Sequence, residues 1–218
     1  MSAAALALFD LDGTLTRRDT LAPYVFGFLA AHPRGYLGLP DVLPALARFV
    51  LGRAGRGALK ASFLRATLGG RSRAELAAWS ERFVSQLLRH GFFAQALSQV
   101  AAHREARHRL VLLSASTDLY VPRLGEALGF DQVVCTGVKW SGDRLVGDLS
   151  TPNRRGQAKV RVLEELRAQW PGVPIIAYGN AASDVAHLRL AEQGFLVNGN
   201  AHARRVAASV GVPLLSWR

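Results

Sequence analysis

The sequence AALALFDLDGT, residues 4–14, decides the fold of this chain. Its first part, Ala4 to Phe9, is continuously apolar and too short for a helix, which is typical of a strand buried on both faces of a parallel sheet. Two acids separated by one residue, Asp10 and Asp12, follow at once, and a glycine and a threonine come next. A buried strand that ends in acids predicts an α/β fold with its chemistry at the carboxyl end of that strand.

The remaining elements predict how this strand is embedded. Three further apolar runs are interpreted as buried strands, at Arg109–Leu113, Val173–Tyr178 and Gly194–Val197. Helices are predicted among them, at Thr117–Leu128, Gln157–Trp170 and Asp184–Ala191. A hairpin is predicted from Val133–Trp140 and Leu145–Leu149, with its turn at Ser141 to Asp143. Because strands that alternate with helices imply right-handed crossovers, we predict a doubly wound parallel sheet.

One region between the first two strands is too long for a simple crossover. From about Leu21 to His103 the pattern is helical, and Arg73–Arg89 carries apolar residues at helical spacing. Crossover connections are usually much shorter, so we predict an inserted α-helical cap domain over the carboxyl edge of the sheet. The predicted domains are a catalytic core, residues 1–16 and 104–218, and a cap, residues 17–103.

Polar side chains follow three of the predicted strands. Asp10 and Asp12 follow the first, Ser114 and Ser116 the second, and Asn180 and Asp184 the third. Because the carboxyl ends of parallel strands share one edge, we expect these side chains to lie together. Two neighbouring carboxylates repel each other unless a cation offsets their charge, and Mg²⁺ prefers such oxygen ligands. One carboxylate can then attack phosphorus, and the other can act as general acid and base.

These residues resemble the motifs of the haloacid dehalogenase (HAD) superfamily of phosphatases. The segment Asp10–Thr14 is similar to the first motif, Asp-x-Asp-Gly-Thr, and Tyr178–Asp184 is similar to the fourth, an acidic metal-binding loop. Ser114 matches the second motif and Lys159 the third. The resemblance implies a HAD-like Rossmannoid core and a Mg²⁺-dependent enzyme that forms a phosphoaspartate.

The resemblance also implies a role for each motif residue. Asp10 is then the nucleophile, Asp12 is the general acid and base, and Lys159 neutralises charge on the nucleophile and the phosphoryl oxygens. The Ser114 hydroxyl and the Ala115 N–H hold the phosphate, and Thr14 helps to fix the first loop. The expected ligands of Mg²⁺ are Asp10, Asp12 through its backbone carbonyl, Asn180 and Asp184.

The fourth motif departs from the family pattern at one position. The family usually has Gly-Asp where this chain has Gly179-Asn180. The asparagine carbonyl can still bind Mg²⁺, but without a charge, so we expect weaker metal binding. This departure opens a second class of function, a degenerate protein that binds phosphate ligands without turnover.

The cap region bears on the substrate. A helical insertion between the first and second motifs resembles the phosphoserine phosphatase-like branch, which implies a small phosphomonoester such as phosphoserine or a related metabolite. Asp19 is the nearest match to the acid that holds the substrate amino group in that branch, and it is an equally good candidate for a helix N-cap. A cap cation that would bind a substrate carboxylate falls near Lys60 or Arg65.

The apolar stretch Tyr36–Leu51 suggests a lipid phosphate instead. It is similar to the caps of bacterial phosphatidylglycerophosphate phosphatases, and with excess positive charge it would suit peripheral contact with an anionic bilayer. The alternative is that these residues form the core of the cap itself, and the pattern alone favours that alternative.

The composition of the chain narrows the remaining classes of function. The 218 residues carry a formal net charge of +11, but the basic residues are scattered and no nucleic-acid reading motif is present, so no nucleic-acid partner is expected. Cys135 is the single cysteine, which rules out an internal disulfide. The apolar start lacks a preceding basic region and runs into acids, so we expect a buried strand and a cytoplasmic protein. The sequence makes no prediction of oligomeric state.

Overall fold

A computed structural model of the chain describes residues 5–218, so Ala4, the predicted first residue of the first strand, lies outside the described residues. The strands are β1 (Leu6–Phe9), β2 (Arg109–Thr117), β3 (Gln132–Thr136), β4 (Val138–Ser141), β5 (Arg144–Leu149), β6 (Ile175–Gly179), β7 (Gln193–Val197) and β8 (Leu214–Leu215). The helices are α1 (Leu21–Ala31), α2 (Leu43–Val50), α3 (Arg56–Leu68), α4 (Arg73–His90), α5 (Ala94–Glu105), α6 (Val121–Ala127), α7 (Gln157–Gln169), α8 (Val185–Leu190) and α9 (Ala201–Ser209), with a 3₁₀ helix at Pro33–Val42.

Six of the strands form one parallel sheet in the order β3-β2-β1-β6-β7-β8. All four residues of β1 are buried, as its apolar sequence predicts. Leu6 and Leu8 pack with the buried residues of α7, α8 and α9, whereas Ala7 and Phe9 pack on the opposite face with α5, α6 and the cap. The predicted fold, a doubly wound parallel sheet with an inserted helical cap, is therefore confirmed.

The strand order places a crevice at the carboxyl end of β1. The chain leaves β1 for β2 and β3 on one side, and later returns to β6 on the other side. In open α/β sheets such a reversal of strand order separates the following loops and leaves room for a ligand. The residues that follow β1 and β6 therefore face each other across this crevice.

The cap packs on the core through aromatic side chains. Tyr24 of α1 is fully buried and stacks on Tyr120, which immediately precedes α6, with ring centroids 4.7 Å apart. Phe83 of α4 contacts both tyrosine rings edge-on. Cap and core consequently share one apolar cluster. The predicted boundary at residue 103 stays a prediction, and α5 runs across it.

The structure corrects two predicted elements. The helix predicted from Thr117 starts later, because β2 bulges after Leu113 and resumes pairing at Thr117 opposite Thr136. The strand predicted for Val133–Trp140 is two strands, β3 in the main sheet and β4 in a hairpin with β5. They divide at Gly137, where an added Cβ would lie 2.4 Å from the Ser150 hydroxyl, so a larger residue there would require Ser150 to move.

The apolar stretch of the cap is not a core. Neither the 3₁₀ helix nor α2 contains a buried residue, and Leu37 and Val50 are 81% and 74% exposed. The prediction that these residues form the cap's own core is therefore wrong, because most of their large apolar side chains are exposed. No helix within residues 5–218 is long and apolar enough to cross a bilayer.

Candidate active site

Asp10 lies at the carboxyl end of β1 and is held by three contacts. Its backbone N–H donates to the Tyr178 carbonyl of the neighbouring strand β6 at 2.9 Å. Thr14 donates its hydroxyl to Asp10 Oδ2 at 2.8 Å, and Lys159 Nζ donates to Asp10 Oδ1 at 2.6 Å. The side chain is 7% exposed. The Asp10 carboxylate is thus fixed in position but reaches the crevice.

Lys159 joins Asp10 to Asp184 in a buried ion cluster. Its Nζ also lies 2.9 Å from Asp184 Oδ1, and none of the three side chains is more than 7% exposed. Burial raises the pKa of Asp10 to about 6, although Lys159 acts against this shift. Burial also pushes the pKa of Asp184 upward, but Lys159 and nearby donors more than offset it, so that pKa is lowered. For Lys159, burial opposes the charge, yet the two carboxylates hold its pKa above the ordinary value. At neutral pH the cluster contains two carboxylates and one ammonium.

Asp12 is fixed by hydrogen bonds to both of its oxygens. Oδ1 accepts from the backbone N–H and the hydroxyl of Thr20, at 2.8 and 2.6 Å, and Oδ2 accepts from the Ser116 hydroxyl at 2.6 Å. The Thr20 hydroxyl also lies 2.7 Å from the Tyr120 hydroxyl. Burial, with a smaller contribution from the charge of Asp19, raises the pKa of Asp12, while the Ser116 and Thr20 donors act in the opposite direction. A carboxyl group with a raised pKa suits a proton donor.

The second-motif residues lie beside these acids. The Ser114 hydroxyl is fully buried and accepts the Ser116 N–H at 2.9 Å, whereas Ala115 lines the cavity described below. Lys60 of α3 donates to the Ala115 carbonyl and, at 2.7 Å, to Asn153 Oδ1. Burial lowers the pKa of Lys60 to about 8. Lys60 therefore ties the cap to the strand end where the phosphate is expected.

The loop after β6 closes the other side of the crevice. Asp184 Oδ2 accepts the N–H groups of Asn180 and Ala181 at 3.2 and 3.0 Å, so the loop folds around this carboxylate. Gly13 has φ +77°, and a Cβ there would lie 2.0 Å from the Asn180 side-chain nitrogen. Gly13 is consequently required both for its backbone conformation and for the close approach of Asn180.

The side chains of Asp10, Asp12 and Asp184 line a cavity of about 440 Å³ between core and cap. Its polar end contains the side chains of Asp10, Asp12, Lys159, Asn180 and Asp184. Its other walls come mainly from the cap and include Asp19, Lys60 and several apolar residues. Five of the sequence-predicted site residues are therefore brought to one end of one cavity.

Other sequence-predicted residues have mixed outcomes. Asp19 lines the cavity, and its Oδ1 also accepts the N–H groups of Leu21 and Ala22 in the first turn of α1, whose N-cap residue is Thr20. Arg65 points away from the cavity and pairs with Asp148 at the surface.

Sequence reasoning missed several residues at the site. Ser116 was expected at this edge of the sheet, but its hydrogen bond to Asp12 was not predicted. Thr20, Tyr120 and Asn153 carry no motif signal, whereas Arg56 and Arg155 follow only from the general excess of arginine. Both arginines line the cavity.

The donor atoms at the polar end fit a small hard cation. Asp10 and Asp184 supply two carboxylates that already share Lys159, and the half-buried Asn180 adds an amide oxygen. Within residues 5–218 no group of three or more His, Cys, Asp or Glu side chains is arranged to hold a metal. Few carboxylates combined with neutral oxygens is the donor set that Mg²⁺ accepts, whereas zinc favours nitrogen and sulfur.

Comparison with known proteins agrees with this geometry. The model of the haloacid dehalogenase-like hydrolase family matches residues 7–189. The chain belongs to this family. A relative in Caulobacter vibrioides, protein CicA, is 33% identical over 86% of this chain and 83% of its own length. The prediction of an enzyme of the hydrolase class within the HAD superfamily is therefore confirmed.

Two solved structures show the same fold. A protein of unknown function from Bordetella pertussis is 25% identical, with a TM-score of 0.79 over 98% of this chain and 99% of its own. The phospho-aspartyl intermediate analogue of phosphoserine phosphatase is 15% identical, with a TM-score of 0.67 over 98% and 93% of the two chains. The predicted fold of the phosphoserine phosphatase-like branch is thereby confirmed.

The ion cluster makes a prediction about stability. In metal-free protein at pH 7, Lys159→Met should lower the free energy of unfolding by about 3 to 5 kcal/mol, because it leaves two buried carboxylates without a counter-charge. Lys139→Met, at an exposed lysine, is the matched control and should change it by less than about 0.5 kcal/mol. Urea unfolding in the presence of a chelator measures both.

The pH dependence of that loss has a definite sign. The lowered pKa of Asp184 stabilises the wild type above the unfolded pKa, and this contribution is lost as pH falls through the folded value. The difference between wild type and Lys159→Met should therefore shrink toward acid pH. Equal effects of the two Lys→Met substitutions, or a difference that grows in acid, would contradict the account.

Proposed function

We propose that the chain is a Mg²⁺-dependent phosphomonoester hydrolase that works through a phosphoaspartate intermediate on Asp10. One observation carries this proposal: a buried carboxylate positioned by Lys159 and Thr14 lies beside a second acid, Asp12, whose pKa is raised. A nucleophile and a proton donor in one cavity are the two groups that this reaction needs. The likeness to the phospho-aspartyl form of phosphoserine phosphatase supports the proposal.

In the first step the ionised Asp10 attacks phosphorus. The bond from its carboxylate oxygen to phosphorus forms while the bond from phosphorus to the leaving oxygen breaks. Asp10 is ionised at pH 7 because its pKa, about 6, lies below that pH. Asp12 gives its proton to the leaving oxygen, and burial favours the protonated form that this requires.

In the second step a water molecule cleaves the phosphoaspartate. The ionised Asp12 accepts a proton from the water, whose oxygen attacks phosphorus, and the bond to the Asp10 carboxylate breaks. Inorganic phosphate leaves, and both carboxyl groups return to their starting states. The hydrogen bonds from Thr20 and Ser116 keep the Asp12 carboxylate in place through both steps.

Positively charged and N–H groups at the site bind the phosphoryl group that is transferred. Lys159 and the Ala115 N–H bind the phosphoryl oxygens, with the Ser114 hydroxyl supporting the backbone of that loop. Asp10, the Asp12 carbonyl, Asn180 and Asp184 would hold Mg²⁺, which when bound supplies further positive charge and offsets repulsion between the carboxylates.

A small phosphomonoester, such as phosphoserine or a related metabolite, is one substrate class that the charged walls of the cavity support, and a lipid phosphate is the alternative. Asp19 and Lys60 both line the cavity and could bind an amino and a carboxylate group. The competing function, phosphate binding without turnover, rests on Asn180 alone. Because Asp10, Asp12 and Lys159 all line one cavity, we favour hydrolysis.

The proposal predicts that Asp10→Asn abolishes Mg²⁺-dependent phosphate release. Loss of the nucleophile should lower kcat by at least about a thousandfold. Asp148→Asn is the matched control, because the pair that it breaks is exposed, and it should stay within about twofold of wild type. The measurement is phosphate release from a panel of soluble phosphomonoesters. A folded wild type that binds orthovanadate but releases no phosphate from any of them would favour the non-hydrolysing alternative.

A second prediction concerns the departure at Asn180. Asn180→Asp adds one negative charge to the proposed metal site, so the apparent affinity for Mg²⁺ should rise about tenfold. Titration calorimetry with Mg²⁺ and the Mg²⁺ dependence of phosphate release both report it. Asn200→Asp is the control, since Asn200 caps α9 and aspartate caps equally well. An unchanged affinity at Asn180→Asp would refute the assignment of this residue to the metal.

A further inference from the structure

The cap presents an exposed apolar surface. We define the apolar face as Leu37, Leu43, Leu46, Val50 and Leu51, which come from the 3₁₀ helix, from α2 and from the residue after it. Leu37, Val50 and Leu51 are 81%, 74% and 64% exposed, and Leu43 is 61% exposed. Within α2, Leu43, Leu46 and Val50 share one side of the helix because they are three and seven residues apart. Clustered exposed leucines of this kind mark an interaction site in a soluble protein.

The charges around this face have one predominant sign. Residues 33–56 contain four basic residues and a single acid, Asp41. The basic residues are Arg34, Arg48, Arg53 and Arg56. A partner for this face must therefore combine an apolar interior with a negatively charged rim. An anionic lipid surface has both properties, and basic residues near such a surface add to its binding.

The apolar face continues into the cavity of the acids. Leu46, 41% exposed at the surface, also lines that cavity, and so does its neighbour Val42. Leu59 and Phe63 of α3 extend the same apolar wall toward the polar end. These apolar residues thus connect the exposed side of α2 with the cavity that contains Asp10.

We propose that the apolar face docks on an anionic lipid bilayer and that the cavity receives from it a phosphomonoester with a hydrocarbon chain. The phosphate lies at the polar end beside Asp10, and the chain lies along Leu46, Val42 and Phe63 toward the bilayer. Contact is made through the exposed side chains of the 3₁₀ helix and α2. The docking stands on the apolar face alone, whereas the substrate class rests on the proposed phosphatase function.

Vesicle binding tests the docking. The full-length protein should sediment with vesicles of phosphatidylcholine and phosphatidylglycerol, and at least about tenfold less with phosphatidylcholine alone. Leu43→Ser/Val50→Ser should reduce binding to the anionic vesicles by at least about tenfold, since two inserted apolar side chains are lost. The control Leu190→Ser/Leu214→Ser changes two leucines that are exposed elsewhere and should bind as the wild type does.

A pair of substrates with the same reacting group tests the second part. Long-chain monoacylglycerol phosphate in anionic vesicles should be hydrolysed with a kcat/KM at least about tenfold above that of glycerol 3-phosphate, which lacks the chain. Leu43→Ser/Val50→Ser should lose most of that preference while its rate with glycerol 3-phosphate stays within about twofold of wild type, because neither side chain lines the cavity.

The outcomes separate the two proposals. No hydrolysis of any phosphomonoester would refute the proposed function, yet selective loss of vesicle binding in Leu43→Ser/Val50→Ser would still support the docking. Absence of wild-type binding to anionic vesicles, or an equal effect of both double variants, would overturn the docking. So would a wild-type dimer in sedimentation velocity that Leu43→Ser/Val50→Ser converts to monomer, since a second copy would then cover the face.

Discussion

The buried contact of Lys159 with Asp10 and Asp184 constrains the rest of the site. Three ionised groups removed from water are tolerated only when they compensate one another, so they must arrive together from three separate elements. Asp10 comes from the end of β1, Asp184 from the start of α8, and Lys159 from the first turn of α7. Pairing of β1 with β6 is what brings the first two within reach of one ammonium.

The same arrangement explains how two neighbouring acids differ. Asp10 contacts an ammonium and is ionised at neutral pH, whereas Asp12 contacts only neutral donors and faces the charge of Asp19. When two carboxyl groups ionise differently because their environments differ, they can take different chemical roles. Thr20 connects this difference to the cap, because it binds Asp12 and Tyr120 and immediately precedes α1. Cap position and the hydrogen bonding of Asp12 are therefore linked through one side chain.

The sequence predicted the sheet and the central acids because both depend on local pattern. A buried strand followed by Asp10 and Asp12 specifies a strand end, and the parallel topology then brings Asp184 to the same edge. Contacts between distant positions could not be predicted this way. Ser116 binds Asp12 across 104 residues, and Lys60 reaches Ala115 across 55, without any motif that marks either contact.

The cap illustrates a second limit of prediction from sequence. Helical spacing indicates which side chains of α2 share a face, but not what lies opposite that face. Pattern alone favoured a cap core for Tyr36–Leu51, and only the folded chain shows these leucines exposed. The hairpin was misjudged for a related reason, since the break at Gly137 separates two strands that pair with different partners, β3 with β2 and β4 with β5.

The central claim is that Asp10 attacks phosphorus, and acid-quenched mass spectrometry tests it most directly. The protein is mixed with Mg²⁺ and a phosphomonoester that it hydrolyses, and the reaction is stopped with acid during turnover. The peptides of the protein are then sequenced. The account predicts a phosphoryl group on Asp10 that disappears when water is given time to react. Steady phosphate release with no phosphorylated peptide, or with the group on another residue, would contradict it.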